Sequence, residues 1–137
     1  MLVDDSFMDR ELAREAFALM DPDTTLMAVE SGSAALALLN APAAVLPDVV
    51  LLDINMPGMN GFDVLQALKQ QPRLHLLPVV MLSTSSSEHD ITHAYSLHAS
   101  GYIVKSVAFQ PFIDQVDTFL AFWKQALLTA SAPLVFP

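Results

Sequence analysis

The stretch VVLLDINMPGMNG, residues 49–61, joins an unbroken aliphatic run to a single aspartate and then to a loop of Pro, Gly, Asn and Met. A short aliphatic run bounded by turn residues is typical of a strand that is buried on both faces of a parallel sheet. Asp53 follows this strand directly, at the end where open α/β sheets bind their ligands. The stretch therefore predicts a rigid central strand that holds one carboxylate at the edge of a sheet.

Similar apolar runs recur along the chain and alternate with stretches of helical period, which predicts a parallel sheet with helices on both faces. Ser31 is expected to cap the second helix, Ser87 and Asp90 to form a capping box on the fourth, and Pro72 to end the third. The predicted strands are residues 1–4, 25–30, 47–52, 78–82 and 101–104. The predicted helices are residues 8–20, 33–40, 61–71, 88–99 and 111–128.

Length and composition limit the classes of function. The chain has 137 residues, of which 53% are hydrophobic, enough for one substantial core and too few for two ordinary domains. Fifteen acidic against six basic residues give a formal charge of -9, which repels a phosphate backbone and excludes a basic nucleic-acid surface. The acidic start is unlike a signal peptide, and no apolar run approaches the ~18 residues of a membrane span. We therefore predict a cytoplasmic protein that binds neither nucleic acid nor membranes.

Three acids follow two of the predicted strands. Asp4 and Asp5 stand at the end of the first strand, and Asp53 stands at the end of the third. If these strands are neighbours, the three carboxylates meet at one edge of the sheet. A single acid in such a place is more often a helix cap or a solvated loop residue, but three at matching strand ends favour a cation site. An all-oxygen cluster suits a hard ion such as Mg²⁺.

Two further polar side chains stand at matching positions, because Ser83 follows the fourth predicted strand and Lys105 follows the fifth. With the three acids and the MPGMNG loop, they closely resemble the receiver domain of two-component response regulators. The resemblance covers residues 1–128. It implies an α/β fold of the flavodoxin-like type, a five-stranded doubly wound parallel sheet in the order 2-1-3-4-5 with five helices.

The resemblance also implies roles for the site residues. In that family the acid at Asp53 accepts a phosphoryl group from a histidine kinase. The acids at Asp4, Asp5 and Asp53, with the backbone carbonyl at Asn55, hold Mg²⁺. Such a protein catalyses only its own phosphorylation and dephosphorylation, so we do not expect an enzyme acting on a separate substrate.

Three more residues take their expected roles from the same resemblance. The hydroxyl at Ser83 and the ammonium at Lys105 contact the phosphoryl oxygens, and the aromatic ring at Tyr102 changes rotamer with the state of the site. Charge in phosphoryl transfer is spread over the equatorial oxygens, so a cation and a lysine supply most of the catalysis.

The sequence departs from the family pattern at two places. The first strand has only three residues before the acids, and the sequence leaves open whether Met1 is the natural start. Ser106 stands where receivers commonly have a proline with a cis peptide bond, and a non-proline cis bond costs about 3 kcal/mol. We therefore expect a trans Lys105–Ser106 bond, which puts the direction of the Lys105 side chain in question.

No effector domain fits in the apolar tail, residues 129–137, so the signal is expected to pass to a downstream protein, a phosphotransfer protein or the kinase itself. The stretches SFMDRELAREAF and LSTSSSEHDITHAYSLHASGYIVK resemble stand-alone regulators that accompany bacterial phytochrome kinases. One alternative is a pseudo-receiver that binds partners without phosphorylation. Another is a phosphatase of the haloacid-dehalogenase type, which needs a second acid where this chain has Asn55.

The last predicted helix suggests self-association. Four of its apolar residues lie on the stripe expected to face the sheet, and four aromatic residues widen the apolar arc well beyond that of an ordinary surface helix. We predict a homodimer with two-fold symmetry through this helix, with the alternative that the apolar tail covers the aromatics within one chain. The stripe is Ile113, Val116, Leu120 and Leu127, the aromatics are Phe112, Phe119, Phe122 and Trp123, and the tail carries Leu134, Val135 and Phe136.

Overall fold

The computed structural model describes residues 1–130, and the surroundings of side chains through residue 126. Strands and helices alternate strictly along this part of the chain. The elements are β1 (Leu2–Val3), α1 (Phe7–Met20), β2 (Ala28–Val29), α2 (Gly32–Leu39), β3 (Val50–Leu52), α3 (Gly61–Gln70), β4 (Val79–Ser83), α4 (Glu88–Ser96), β5 (Gly101–Val104) and α5 (Phe109–Ala130). All strand pairs are parallel, and the order is β2-β1-β3-β4-β5, which confirms the predicted topology.

The sheet is buried by two apolar layers, and successive residues of a strand enter opposite layers. Val3, Val50 and Leu52 belong to a cluster with residues of α2, α3 and α4. Leu2 and Leu51 belong to the second cluster, which they share with residues of α1 and α5. The central strands β1 and β3 are thereby packed on both faces, which fixes the positions of the polar residues that follow them.

The helix boundaries follow the sequence signals, but the first three strands are shorter than predicted. Ser31 caps α2 by accepting a hydrogen bond from the amide of Ala34 at 3.0 Å, and α3 ends at Gln70, before Pro72. The predicted strands over residues 1–4, 25–30 and 47–52 are reduced to β1 (Leu2–Val3), β2 (Ala28–Val29) and β3 (Val50–Leu52). An apolar run shows which residues are buried but not how many of them pair with a neighbouring strand, so the pattern overestimates these three lengths.

The predicted capping box on α4 is only half formed. Ser87 Oγ accepts from the Asp90 amide at 3.4 Å, but the Asp90 carboxylate accepts a hydrogen bond of 2.6 Å from Ser85 Oγ instead of returning to the cap. The complete capping box lies on α3, where Asn60 and Asp63 each bond the other's backbone amide at 3.0 Å. Asp90 thereby fixes the loop after β4 rather than the first turn of α4.

Helix α5 corrects the predicted arrangement of its aromatic residues. The stripe residues Ile113, Val116 and Leu120 are buried as expected, but Phe112 and Phe119, predicted to lie beside the core, are buried as well. Helix α1 packs along the flank of α5 on the same face of the sheet, and the rings of Phe17 and Phe119 meet edge to face at 6.1 Å. The sheet and α1 together therefore bury a wider apolar arc of α5 than the sheet alone would.

Of the four aromatic residues predicted to widen the apolar arc of α5, two remain accessible. Phe122 is 62% exposed and Trp123 is half-buried, with their rings edge to face at 5.3 Å. The Leu127 side chain and the tail residues Leu134, Val135 and Phe136 lie outside the described residues. Within residues 1–130, none of the helices combines the length and the apolar character needed to cross a bilayer.

Candidate functional site

The strand order brings two strand ends side by side. Strand β1 runs into Asp4 and Asp5, and its neighbour β3 runs into Asp53, whose amide donates to the carbonyl of Val3 at 3.0 Å. Carboxylate oxygens of Asp4, Asp5 and Asp53 lie within 4.8 Å of one another. The structure thus places all three predicted acids in one cluster at the carboxyl edge of the sheet.

The three carboxylates differ in exposure, and this sets their electrostatics. Asp4 is 2% exposed, Asp53 is half-buried and Asp5 is exposed. Burial, together with the neighbouring charge of Asp4, raises the pKa of Asp53 to about 6, although the ammonium of Lys105 opposes the rise. Crowded carboxylates of this kind are relieved by a cation, and a donor set made only of oxygens fits a hard divalent ion.

A compact loop holds Asp53 in position. The carbonyl of Ile54 accepts hydrogen bonds from the amides of Met56 at 3.1 Å and Gly61 at 2.8 Å, which closes residues 54–61 into a tight turn. A Cβ on Gly61 would overlap the carbonyl oxygen of Asp53 and lie 2.8 Å from the Cα of Ile54. Asn55, the predicted carbonyl ligand, is exposed on this loop directly beyond the cluster.

Lys105 enters the site from β5 and is bound by two carboxylates. Its amide donates to the carbonyl of Ser83 at 2.7 Å, which extends the pairing of β4 with β5. Its Nζ donates to Asp4 Oδ2 at 3.0 Å and to Asp9 Oδ2 at 2.9 Å. Burial favours the neutral amine, but the two carboxylates outweigh it and raise the pKa of Lys105.

The Lys105 ammonium therefore lies at the predicted edge but not on Asp53. Among the described residues its ion-pair partners within 4.0 Å are Asp4 and Asp9. The Lys105–Ser106 bond is trans, as the sequence predicted from the absence of proline. The amide of Ser106 is held by the side chain of Gln115 at 2.9 Å, so the loop into α5 has its own anchor.

Asp9 is a site residue that the sequence reasoning missed. It lies in the first turn of α1, where its amide donates to the N-cap hydroxyl of Ser6 at 3.2 Å. The pattern Ser-x-x-Asp directly after Asp5 is the available signal, because it starts a helix at the carboxyl end of β1 and so places its first turn at the site. Arg10, the next residue, donates to the carbonyl of Asp4 at 2.8 Å.

Ser83 and Tyr102 meet the same loop from two strands. Ser83 is the last residue of β4 and is buried, and its Oγ accepts a hydrogen bond of 3.2 Å from the Ser85 amide. The hydroxyl of half-buried Tyr102 donates to the carbonyl of Ser85 at 2.8 Å. Ser85 therefore links the two side chains, since its amide binds Ser83 and its carbonyl binds Tyr102.

Comparison with known proteins identifies a family and relatives that this chain resembles in sequence. Residues 1–117 match the family model of the response regulator receiver domain. Response regulator Rcp1 from Synechocystis sp. is 34% identical over 139 residues, which cover 96% of this chain and 92% of Rcp1.

Two solved structures have the same fold. The crystal structure of the phosphorylated cyanobacterial phytochrome response regulator RcpA matches with a TM-score of 0.84 and 38% identity, covering 97% of this chain and 96% of RcpA. The Mn²⁺-bound form of Rcp1 matches with a TM-score of 0.80 and 32% identity, covering 99% of this chain and 96% of that structure. These similarities extend over nearly the whole length of each chain.

Proposed function

This chain belongs to the response regulator receiver domain family, and from that premise we propose that it accepts a phosphoryl group from a sensor histidine kinase on Asp53. The observation that carries the assignment is the convergence of Asp4, Asp5 and Asp53 within 4.8 Å at the end of two neighbouring strands. Receivers are signalling proteins, so the only chemistry expected of this chain is the formation and loss of its own aspartyl phosphate.

The transfer is a displacement at phosphorus. One Oδ of ionised Asp53 forms the new P–O bond while the P–N bond to the kinase histidine breaks. The electron pair of the broken bond stays on the imidazole nitrogen, which takes up a proton from solvent. The raised pKa of Asp53, about 6, leaves the carboxylate ionised near neutral pH and more basic than an ordinary aspartate. The buried strand β3 holds the nucleophile in place, because Val50, Leu51 and Leu52 are all buried.

A divalent cation would be held by the carboxylates of Asp4, Asp5 and Asp53 and the carbonyl of Asn55, and it supplies positive charge to the phosphoryl oxygens. We assign Mg²⁺ as the physiological ion because the donor set is all oxygen. The Mn²⁺-bound form of Rcp1, a relative with the same fold, supports the proposal that this chain binds a divalent ion.

Ser83 and Lys105 are proposed to bind the phosphoryl oxygens, with Tyr102 responding to the change. The Ser83 hydroxyl is at the end of β4, beside β3, and Lys105 is at the end of β5, beside β4. When Ser83 turns toward a phosphoryl oxygen, the Ser85 amide loses its acceptor and the loop that binds Tyr102 must adjust. Phosphorylation would thereby alter the surface around α4 and β5, to which a downstream or phosphotransfer protein binds.

The input kinase is proposed to be a bacterial phytochrome. Support comes from the similarity to RcpA, the response regulator of a cyanobacterial phytochrome, over 97% of this chain. The cytoplasmic location predicted from the sequence agrees with such a partner and stays a prediction.

The two alternatives lack support at the site. A pseudo-receiver would be expected to lack an acid, the hydroxyl or the lysine, and here all five side chains stand at the ends of the strands. A phosphatase of the haloacid-dehalogenase type uses a second acid two residues after the nucleophile, and Asn55 stands there.

Incubation with acetyl phosphate is expected to add one phosphoryl group per chain, at Asp53, only when a divalent cation is present. Intact-mass measurement gives the stoichiometry, and borohydride trapping followed by peptide mass spectrometry locates the aspartyl phosphate. A chelator serves as the control. Absence of modification with Mg²⁺, in a chain shown to be folded, would favour the pseudo-receiver.

We also propose that the chain self-associates through α5, with a smaller exposed apolar surface than the sequence predicted. Phe112 and Phe119 are committed to the core, but Phe122 remains 62% exposed and Tyr95 49% exposed. Both line a groove of about 530 Å³ between α4, β5 and α5. A second copy related by two-fold symmetry would cover this apolar surface and present two acceptor sites to a dimeric kinase.

Phe122→Asp is expected to shift the chain from dimer to monomer in sedimentation velocity at micromolar concentration. The charge would enter the apolar contact without disturbing the core, because Phe122 is mostly exposed. Leu76→Asp is the matched control, since Leu76 is 82% exposed on a different part of the surface. A monomeric wild type would refute the dimer, and dimers in both variants would place the interface elsewhere.

A further inference from the structure

Asp9 lies in the first turn of α1, and its carboxylate binds the ammonium of Lys105. Asp9 Oδ2 lies 2.9 Å from Lys105 Nζ, and the two residues are far apart in sequence, on α1 and after β5. The Asp9 side chain is 43% exposed, and the Lys105 side chain is 10% exposed. The pair therefore lies at the boundary between the site and solvent.

The helix cap explains why Asp9 is available. In a capping box the acid at this position returns to the amide of the N-cap residue. Here the amide of Ser6 donates instead to Asp4 Oδ1 at 2.9 Å, so it needs no bond from Asp9. Helix α3 shows the ordinary alternative, in which Asp63 bonds the amide of Asn60. The Asp9 carboxylate is thus free to bind Lys105.

Asp9 and Asp4 together restrain the Lys105 ammonium. Within the described part of the chain they are its ion-pair partners, and Asp53 lies beyond the 4.0 Å range of such a pair. Asp4 is also one of the three clustered carboxylates, whereas Asp9 is not. Asp9 therefore contributes negative charge and a hydrogen-bond acceptor to Lys105 without contributing a carboxylate to the cluster.

We propose that Asp9 is a positioning residue that regulates the phosphoryl site by competing with the phosphoryl group for Lys105. This inference rests on the proposed function, since it assumes that Lys105 binds a phosphoryl group on Asp53. In the unphosphorylated chain Asp9 holds the ammonium in the second ion pair observed here. On phosphorylation Lys105 turns toward the phosphoryl oxygens, and the Asp9 pair is lost or lengthened. Asp9 thus lowers the stability of the phosphorylated form relative to the unmodified form.

The test uses beryllium fluoride, which forms a phosphoryl-like adduct on carboxylates, with Mg²⁺ in excess. Fluorine NMR measures the beryllium fluoride concentration that half-fills the site in the wild type and in Asp9→Asn. Removing the competitor is expected to lower this concentration by about three- to tenfold. Asp9→Glu, which retains a carboxylate able to reach Lys105, should stay close to the wild type. Glu15→Gln, an equal change of charge at an exposed position of α1, should leave it unchanged.

A double-mutant cycle with Lys105→Met separates competition for the lysine from a general effect of charge. In the Lys105→Met background, Asp9→Asn is expected to have no effect on the half-filling concentration. An undiminished effect there, or an unchanged or weaker adduct in Asp9→Asn alone, would overturn the role of Asp9. Thermal unfolding followed by circular dichroism confirms that each variant is folded. Failure of the folded wild type to form the adduct would instead overturn the proposed function.

Discussion

Replacing Asp53 by Asn is expected to abolish phosphoryl uptake and, in the absence of metal, to make the protein more stable near neutral pH. The first effect follows because the amide has no anionic oxygen with which to attack phosphorus. The second follows from the raised pKa of Asp53, about 6, since burial and the charge of Asp4 disfavour its ionised form. The negative charge that Asp53 needs for the reaction therefore destabilises the metal-free fold.

The sign of the pH dependence can be worked out for this group. Its pKa is about 6 in the folded chain against an ordinary value of 3.8, so between these pH values the folded chain binds more protons than the unfolded chain. Stability contributed by Asp53 therefore falls as pH rises from about 4 to 6, and the penalty is complete above that range. After allowance for solvent screening, the penalty is about 1 to 2 kcal/mol.

Urea unfolding in chelator, from pH 4 to 8, measures this difference between the wild type and Asp53→Asn. We expect the variant to be more stable at pH 7.5 by about 1 to 2 kcal/mol and the gap to close toward pH 4. Asp117→Asn, which removes an exposed acid on α5, is the control and should show no comparable gap. Added Mg²⁺ should stabilise the wild type more than Asp53→Asn. Equal stability of the two chains at pH 7.5 in chelator would contradict the electrostatic account.

The fold was predictable because each strand carries its own signal. The run before Asp53 is apolar at every position, and β3 is buried at all three of its residues. The lengths of β1, β2 and β3 were overestimated, because an apolar run shows which residues are buried but not how far a strand stays paired with its neighbours. The burial of Phe112 and Phe119 was missed for a related reason, since it depends on α1 packing beside α5. A helical pattern predicts the face toward the sheet but not a second helix on its flank.

At the site, positions were predictable and pairings were not. Asp4, Asp5, Asp53, Ser83 and Lys105 were expected at strand ends, and the structure places them there. The pairing of Lys105 with Asp9 could not be predicted from spacing alone. It arises because the Asp4 carboxylate takes over the Ser6 amide and leaves the Asp9 side chain free. Such exchanges of hydrogen-bond partners depend on distances between elements that the sequence does not specify.

Replacing Gly61 by Ala is expected to destabilise the chain by about 2 to 4 kcal/mol, the range of a severe steric overlap in a packed region. The added Cβ would overlap the Asp53 carbonyl oxygen and lie 2.8 Å from the Ile54 Cα. These are backbone atoms of a buried strand end, so they cannot move aside as a flexible side chain could. The 2.8 Å hydrogen bond from the Gly61 amide to the Ile54 carbonyl would be strained at the same time.

Gly58→Ala is the matched control for this effect, because it lies in the same loop and changes the same residue type. Gly58 has a φ of 71°, which disfavours alanine, but its Cβ would meet no atom within 4 Å. Its cost should therefore be about 1 kcal/mol, from backbone conformation alone. Urea unfolding measures both losses, and acetyl phosphate labelling of the folded fraction should be slower in Gly61→Ala, because the overlap displaces the backbone that carries Asp53. Equal losses in the two variants would mean that the Gly61 contact can relax, and that the loop does not hold the nucleophile as tightly as its geometry indicates.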